Sequence, residues 1–222
     1  MPRTARLAPG GMIYHVFNRG VGKTTLFRSR KDFQEFQRCL AVTQASTSMR
    51  ILAYCVMGNH WHLVLWPRAD GDLAHFMLRL TTTHVRRRHV QRRQAGGGHV
   101  YQGRYKSFAV AKDDHLSTVC RYVERNPVRN KTAAASADWP WSSAGHHALA
   151  RDQQVELTDL PGGRRDRLAS WVDRPQTAAE EAAMSQCLKQ NRPFGSDQWV
   201  SRMREKLGWR EPMKIGRPRK PQ

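Results

Sequence analysis

The chain has 222 residues, enough for one full hydrophobic core and a small second unit but not for two large domains. Apolar residues make up 39% and charged residues 25%, a globular composition, and Arg, Lys, His, Gly or Asn interrupts every apolar run before it reaches the roughly 18 residues of a membrane span. Thirty-eight Lys and Arg against eighteen Asp and Glu leave a formal charge of +20, and the four cysteines form no CxxC pair, which argues against a disulfide framework or a four-thiolate zinc site.

The opening MPRTARLAPGG lacks the apolar stretch of a secretory signal, so the expectation is a soluble, cytoplasmic protein. Ile13 to Asn18 (IYHVFN) reads as a strand closed by Arg19-Gly20. A helix is expected from Asp32, with Phe33, Phe36, Gln37 and Leu40 on its buried face. Ile51 to Met57 and His60 to Trp66 are strand-like runs parted only by Gly58-Asn59, which predicts an antiparallel hairpin. From Asp72 to about Gln94 a long helix carries Leu73, Phe76, Met77 and Leu80 on one side, and Gly96-Gly97-Gly98 ends it. Ser107 to Ala111 is a short strand, and Asp113 or Asp114 caps a helix with Leu116, Val119, Cys120 and Val123, running to Pro127.

The order β, α, β, β, α, β and a further helix predicts a ferredoxin-like α+β layer, an antiparallel sheet with helices packed on one face. Beyond Trp139-Pro140-Trp141 the pattern weakens. The expected organisation is a main domain over residues 1–148, a linker over 149–176 containing Pro161-Gly162-Gly163, a short helical extension over 177–208 and a basic tail over 209–222. Within the extension, Thr177 to Glu180 is a capping box, and Ser196 to Leu207 is a helix stopped by Gly208.

A net +20 is a self-repulsion best relieved by a polyanion, so nucleic acid is the expected partner; a membrane surface is not, because the two ends offer no lipidation motif. Six cations without one acid, Arg79, Arg86, Arg87, Arg88, Arg92 and Arg93, lie along the second half of the long helix. Arg86, Arg87, Arg88, Arg92 and Arg93 are expected to meet phosphates. Gln102, Arg104, Tyr105 and Lys106, with aromatic Tyr101 beside them, suit a single strand whose bases stack and whose phosphates are neutralised. In the tail, GRPRK contains the Arg-Pro-Arg core of a minor-groove hook, but Ile215 stands where such a hook has Arg. Arg217, Arg219 and Lys220 read as a basic arm for DNA without sequence preference.

His60 and His62 are two apart in a strand, so both imidazoles project from one face while Trp61 and Leu63 take the other. Two neutral imidazoles at that spacing can share a divalent ion. A third ligand has to come from elsewhere, and the helix ending at Pro127, where Tyr122 and Asn126 lie one turn apart and share a face, is the best place to look. A phenol can attack phosphorus and leave a covalent phosphotyrosine, and a metal held by His60, His62 and Asn126 would polarise the phosphoryl oxygen. The isolated histidines His15, His75 and His147 read as structural or surface residues.

The runs MGNHWHLVLW, YQGRYKSFAV, RYVERNPVR and DWPWSS, in that order, resemble the REP-associated tyrosine transposases, members of the IS200/IS605-like single-tyrosine HUH endonucleases. The resemblance covers roughly residues 10 to 147. It implies a ferredoxin-like HUH domain, His60 and His62 as the metal pair, Tyr122 as the attacking residue and Asn126 as third ligand, with Mg²⁺ or Mn²⁺ as cofactor. It further implies cleavage of single-stranded DNA at hairpins through a 5′-phosphotyrosine, and rejoining of strands, by a nucleoid-associated enzyme. Two positions depart from the family pattern: Gly58 where many members have Pro before the Asn-His, and Asn130-Lys131-Thr132-Ala133 where many continue with Ala-Gly-Leu-Val. Two other readings stay open, a catalytically silent nucleic-acid-binding regulator and a metal-independent ribonuclease using the histidine pair as acid and base. Monomer and homodimer both remain open.

Overall fold

The structure is a computed structural model that describes residues 7–92, 98–146, 155–163 and 171–208. In chain order its elements are β1 (Ile13–Arg19), α1 (Arg30–Thr47), β2 (Arg50–Met57), β3 (His60–Trp66), α2 (Asp72–Gln91), β4 (Lys106–Val110), α3 (Asp114–Glu124), α4 (Asn126–Arg129), α5 (Ala178–Gln190) and α6 (Asp197–Leu207). The strands form one antiparallel sheet in the order β2-β3-β1-β4, the ferredoxin-like arrangement expected from the element order.

Strand alternation sorts the sheet into two faces. Tyr14, Val16, Trp61, Leu63 and Leu65 point to the face covered by α1 and α2, where Phe36, Leu40, Phe76 and Leu80 meet them. Trp61, Leu63 and Leu65 have no exposed surface, and each fully buried side chain of this kind stabilises by about 1.5–3 kcal/mol. Ile13, Cys55, Val64, Phe108 and Val110 point the other way, against Leu116, Val119, Cys120 and Val123 of α3. The helix that comes after β4 therefore lies across the opposite face from α1 and α2, so the sheet is covered on both faces rather than on one. In β2 the register shifts between Ile51 and Ala53, and Leu52 joins Ala53 on the α3 side before the alternation resumes.

The helix ends follow local chemistry. Helix α1 begins two residues before the expected Asp32: Ser29 is the N-cap and Asp32 completes a capping box from the third helical position. Asp113 caps α3 by accepting from the His115 N–H at 3.0 Å. The tyrosine helix does not stop at Pro127 but breaks at Arg125 (φ −81°, ψ 0°) and resumes as α4. Pro127 sits in the first turn of α4, where its missing N–H is no loss. The carbonyl of Gly58 accepts from the N–H groups of Leu26 (2.8 Å) and Phe27 (2.9 Å), tying the loop before α1 to the hairpin turn.

Both edges of the sheet are paired with backbone from later in the chain. Along β2, the Val56 N–H donates to Trp141 O, the Ser143 N–H to Tyr54 O and the Thr158 N–H to Ile51 O, at 2.8, 2.9 and 2.8 Å. Along β4, the Phe194 N–H donates to Ala109 O at 2.8 Å and the Ala111 N–H to Phe194 O at 2.9 Å. Val155 is buried in the α1 and α2 core, while Leu160, Val172, Met184 and Cys187 are buried with the α3 core.

Candidate active site

Between β1, β3 and the α3–α4 break, five rings and an amide converge. His60 and His62 share the α3-facing side of β3, with ring centroids 5.1 Å apart and nearly perpendicular planes. The Tyr122 ring meets His62 edge-on at 5.7 Å. Asn126, the first residue of α4, brings its Oδ1 to 3.3 Å from His60 Nε2. From β1, Phe17 packs on His62 at 4.9 Å and His15 Nε2 reaches His62 Nδ1 at 2.9 Å. The two residues the sequence placed one turn apart, Tyr122 and Asn126, thus reach the histidine pair together even though the helix breaks between them.

Desolvation sets the charge state. Burial pushes the His60 imidazole down to about 4, against a smaller opposing effect of the Asn126 oxygen, to which the protonated ring would donate. Burial also pushes His15 down to about 3 and His62 well below the usual histidine range, with neighbouring His15 and His60 acting in the same direction on His62. All three rings are therefore neutral near pH 7. Arg129 donates to the Tyr122 hydroxyl at 3.0 Å, and its guanidinium lies 4.2 Å from the centre of the tyrosine ring.

The donor set fits a divalent cation. A neutral imidazole has one N–H, yet His60 faces two acceptors: Asn59 Oδ1 at 2.6 Å from Nδ1 and Asn126 Oδ1 at 3.3 Å from Nε2. The shorter contact takes the proton, so Nε2 presents a lone pair. The atom opposite is fixed as oxygen, because Asn130 Nδ2 donates both to it at 2.7 Å and to the Asn126 carbonyl at 2.9 Å. Two lone pairs facing at 3.3 Å match adjacent ligands of an octahedral Mg²⁺, which at about 2.1 Å from the metal lie about 3.0 Å apart. Among the described residues no group of three or more His, Cys, Asp or Glu is arranged to hold a metal, so this set relies on the amide oxygen.

The residues expected to touch DNA are scattered in their engagements. Arg86 and Arg104 are exposed. Arg87 is paired with Glu35 at 2.6 Å, and Arg92 with Asp32 at 3.4 Å and the Leu26 carbonyl at 3.3 Å. Arg88 keeps Nε and Nη1 buried with no partner. Gln102 accepts from Arg19, Tyr105 is half-buried, and Lys106 donates to the Leu188 carbonyl at 3.3 Å. Arg93, Arg217, Arg219, Lys220 and His147 lie outside the described residues.

Sequence reasoning missed Arg129, His15, Asn59 and Asn130. Arg129 stands seven residues after Tyr122, a helical spacing that carried the signal, and His15 alternates with Phe17 on the strand beside the histidine pair. Asn130 occupies one of the positions that depart from the family pattern.

The family model for IS200-like transposases matches residues 10–126, more than half of the chain. No curated protein matches. Among solved structures, the chain is similar to that of the REP-associated tyrosine transposase bound to a REP hairpin, at 19% identity and a TM-score of 0.53, covering 73% of this chain and 97% of that one. A crystal structure from Deinococcus radiodurans R1 matches at 15% identity and a TM-score of 0.39, over 56% of this chain and 97% of that one. No described helix is long and apolar enough to cross a membrane.

Proposed function

Since this chain belongs to the IS200-like transposase family, we propose that it is a single-tyrosine HUH endonuclease of the REP-associated kind, cutting and rejoining single-stranded DNA at hairpins through Tyr122. The observation that carries the reading is the convergence of Tyr122, His60, His62 and Asn126 on one side of the sheet, with Arg129 on the tyrosine hydroxyl. The solved relative bound to a REP hairpin makes a hairpin the first substrate to try.

In the proposed reaction the Tyr122 oxygen attacks the scissile phosphorus, the bond from phosphorus to the 3′-side oxygen breaks, and that oxygen takes up a proton to leave as a free 3′-hydroxyl. The product is a 5′-phosphotyrosine, and attack by an incoming 3′-hydroxyl reverses it to rejoin strands. Arg129 holds the tyrosine oxygen and sets a positive charge where a phosphate must approach. His60, His62 and Asn126 would hold Mg²⁺ or Mn²⁺, which when bound withdraws charge from the phosphoryl oxygen and orients the phosphate. The acid–base ribonuclease reading needs one of the two histidines protonated near neutral pH, and burial opposes that for both.

Incubating the full chain with labelled hairpin DNA and Mn²⁺ tests the proposal. A covalent adduct that survives denaturation, requires a divalent ion and is absent in Tyr122→Phe is the expected result. An adduct formed by the variant, or cleavage undiminished in excess chelator, would overturn it.

A further inference from the structure

His15 stands alone in the sequence, yet it is fully buried and its Nε2 meets His62 Nδ1 at 2.9 Å. We propose that His15 is a positioning residue for His62, whose Nε2 accepts the His62 Nδ1–H so that His62 Nε2 can offer its lone pair to the cation. This rests on the proposal that His60, His62 and Asn126 hold a metal.

A hydrogen bond between two imidazoles uses one N–H and one lone pair, so the pair has two assignments. In the first, His62 Nδ1–H donates to His15 Nε2, which puts the His15 proton on its Nδ1 and frees His62 Nε2 as a ligand. In the second, His15 Nε2–H donates to His62 Nδ1, and the His62 proton moves to Nε2, where it blocks coordination. His15 Nδ1 is buried without a partner in either case. Nothing inside the pair favours the second assignment, and what His62 Nε2 meets decides between them. His62 Nε2 has no hydrogen-bond partner among the described residues, and it belongs to the ring that Tyr122 meets edge-on. A cation there selects the first assignment.

The surroundings hold the His15 ring in place for this task. It stacks on Phe108 at 4.8 Å and presents its edge to Tyr122 at 6.4 Å. The other two ligands have matching supports, Asn59 on His60 and Asn130 on Asn126. Outer hydrogen bonds of this kind raise the basicity and fix the orientation of a ligating histidine, and removing one weakens metal binding by about 10–100-fold.

The test uses Mn²⁺ alone, titrated into the full chain without DNA and followed by loss of the free-ion EPR signal. His15→Phe keeps a ring against Phe108 but offers no acceptor, and His15→Gln restores one as an amide oxygen. The expected result is a Mn²⁺ affinity lowered about 10–100-fold in His15→Phe and within a few-fold of wild type in His15→Gln. The metal-free thermal midpoint of His15→Phe should stay close to wild type, because the exchange removes the unpartnered His15 Nδ1 and leaves His62 Nδ1 unpartnered instead. Added Mn²⁺ should then raise the midpoint of wild type and His15→Gln more than that of His15→Phe. Equal affinity in wild type and His15→Phe overturns the proposal, as does equal weakness of both variants. A wild-type chain that takes up no Mn²⁺ overturns the metal reading itself, and this proposal with it.

Discussion

Two buried histidine networks lie on opposite faces of one sheet, and they are completed differently. On the α1 and α2 side, Trp61 Nε1 donates to the Tyr101 hydroxyl at 3.2 Å, and that hydroxyl donates to His84 Nδ1 at 2.6 Å. The Trp61 and Tyr101 hydrogens both have acceptors, and no nitrogen or oxygen of these three side chains is buried without a partner. On the α3 side, His15 Nδ1 and Asn126 Nδ2 are buried without partners, and His60 Nε2 faces an oxygen with no proton between them. Burial pushes His84 down to about 3, as it lowers the histidines of the other face, so desolvation does not separate the two networks. Open valences do. A polar network closed on itself holds a core together, whereas one left open inside a protein is shaped for something that arrives later.

The contrast is most sharply tested by chemistry. Tyr122→Phe removes one oxygen and leaves the ring packing, so hairpin binding should persist while the covalent adduct disappears entirely on a denaturing gel. Next in size, His60→Ala should lower single-turnover cleavage by about 10³-fold, as removal of several kcal/mol of charge stabilisation requires, with hairpin affinity changed far less. If both measurements fell together, the α3 face would be a binding surface only.

Acid should strain both networks. The unfolded chain protonates its histidines below about pH 6.5, while the folded chain holds His60 down to about 4 and His15 and His84 down to about 3. Depressed values mean that stability is present above 6.5 and lost as the pH falls toward them. For His60 the interval from 6.5 to about 4 is worth about 3 kcal/mol. Urea unfolding of the metal-free chain between pH 7 and 4 should show the loss, with a slope greater than one proton. A flat profile would mean that these rings are not buried.

Smaller again, Tyr101→Phe opens the closed network by stranding the Trp61 N–H and His84 Nδ1, and should destabilise by about 1–3 kcal/mol per stranded group in urea titrations. Cleavage at saturating DNA should survive. The smallest effect is expected from ending the chain after Gly208, which removes Arg210, Lys214, Arg217, Arg219 and Lys220. Every phosphate that the tail neutralises adds about 0.7 to the slope of log affinity against log salt on single strands, so titrations of the shortened chain should be shallower by that amount for each one. An unchanged slope would make the tail a bystander.

The sheet was legible above all from β3, where the alternation is strict: one run, His60 to Trp66, places Trp61, Leu63 and Leu65 on one side and both imidazoles on the other. That Tyr122 and Asn126 share a face was legible from their spacing, since a four-residue interval survives the break at Arg125 well enough to bring both to the histidines. What escaped depends on contacts between segments far apart in sequence. Nothing near His15 announces His62, because the pairing of β1 with β3 joins residues forty-seven apart. The capping of α1 by Ser29 was hidden for a simpler reason: Asp32 is also a good cap, and only the third-position geometry distinguishes the two. Two of the arginines expected to meet phosphates, Arg87 and Arg92, pair with Glu35 and Asp32 on α1, acids that no inspection of the basic helix alone could supply.

The backbone pairing along the two sheet edges matters to anyone shortening this protein. The partners of β2 and β4 come from residues 141–143, 158 and 194, all beyond position 126, where the family match ends. A fragment trimmed to the matched region would keep Tyr122, His60 and His62, yet it would present two bare strand edges, and bare edges recruit strands from other molecules. Such a fragment should precipitate or form strand-paired oligomers at concentrations where the full chain stays clear. The chain beyond residue 126 acts as the selvedge of the sheet, the finished border that keeps one copy from being woven into the next.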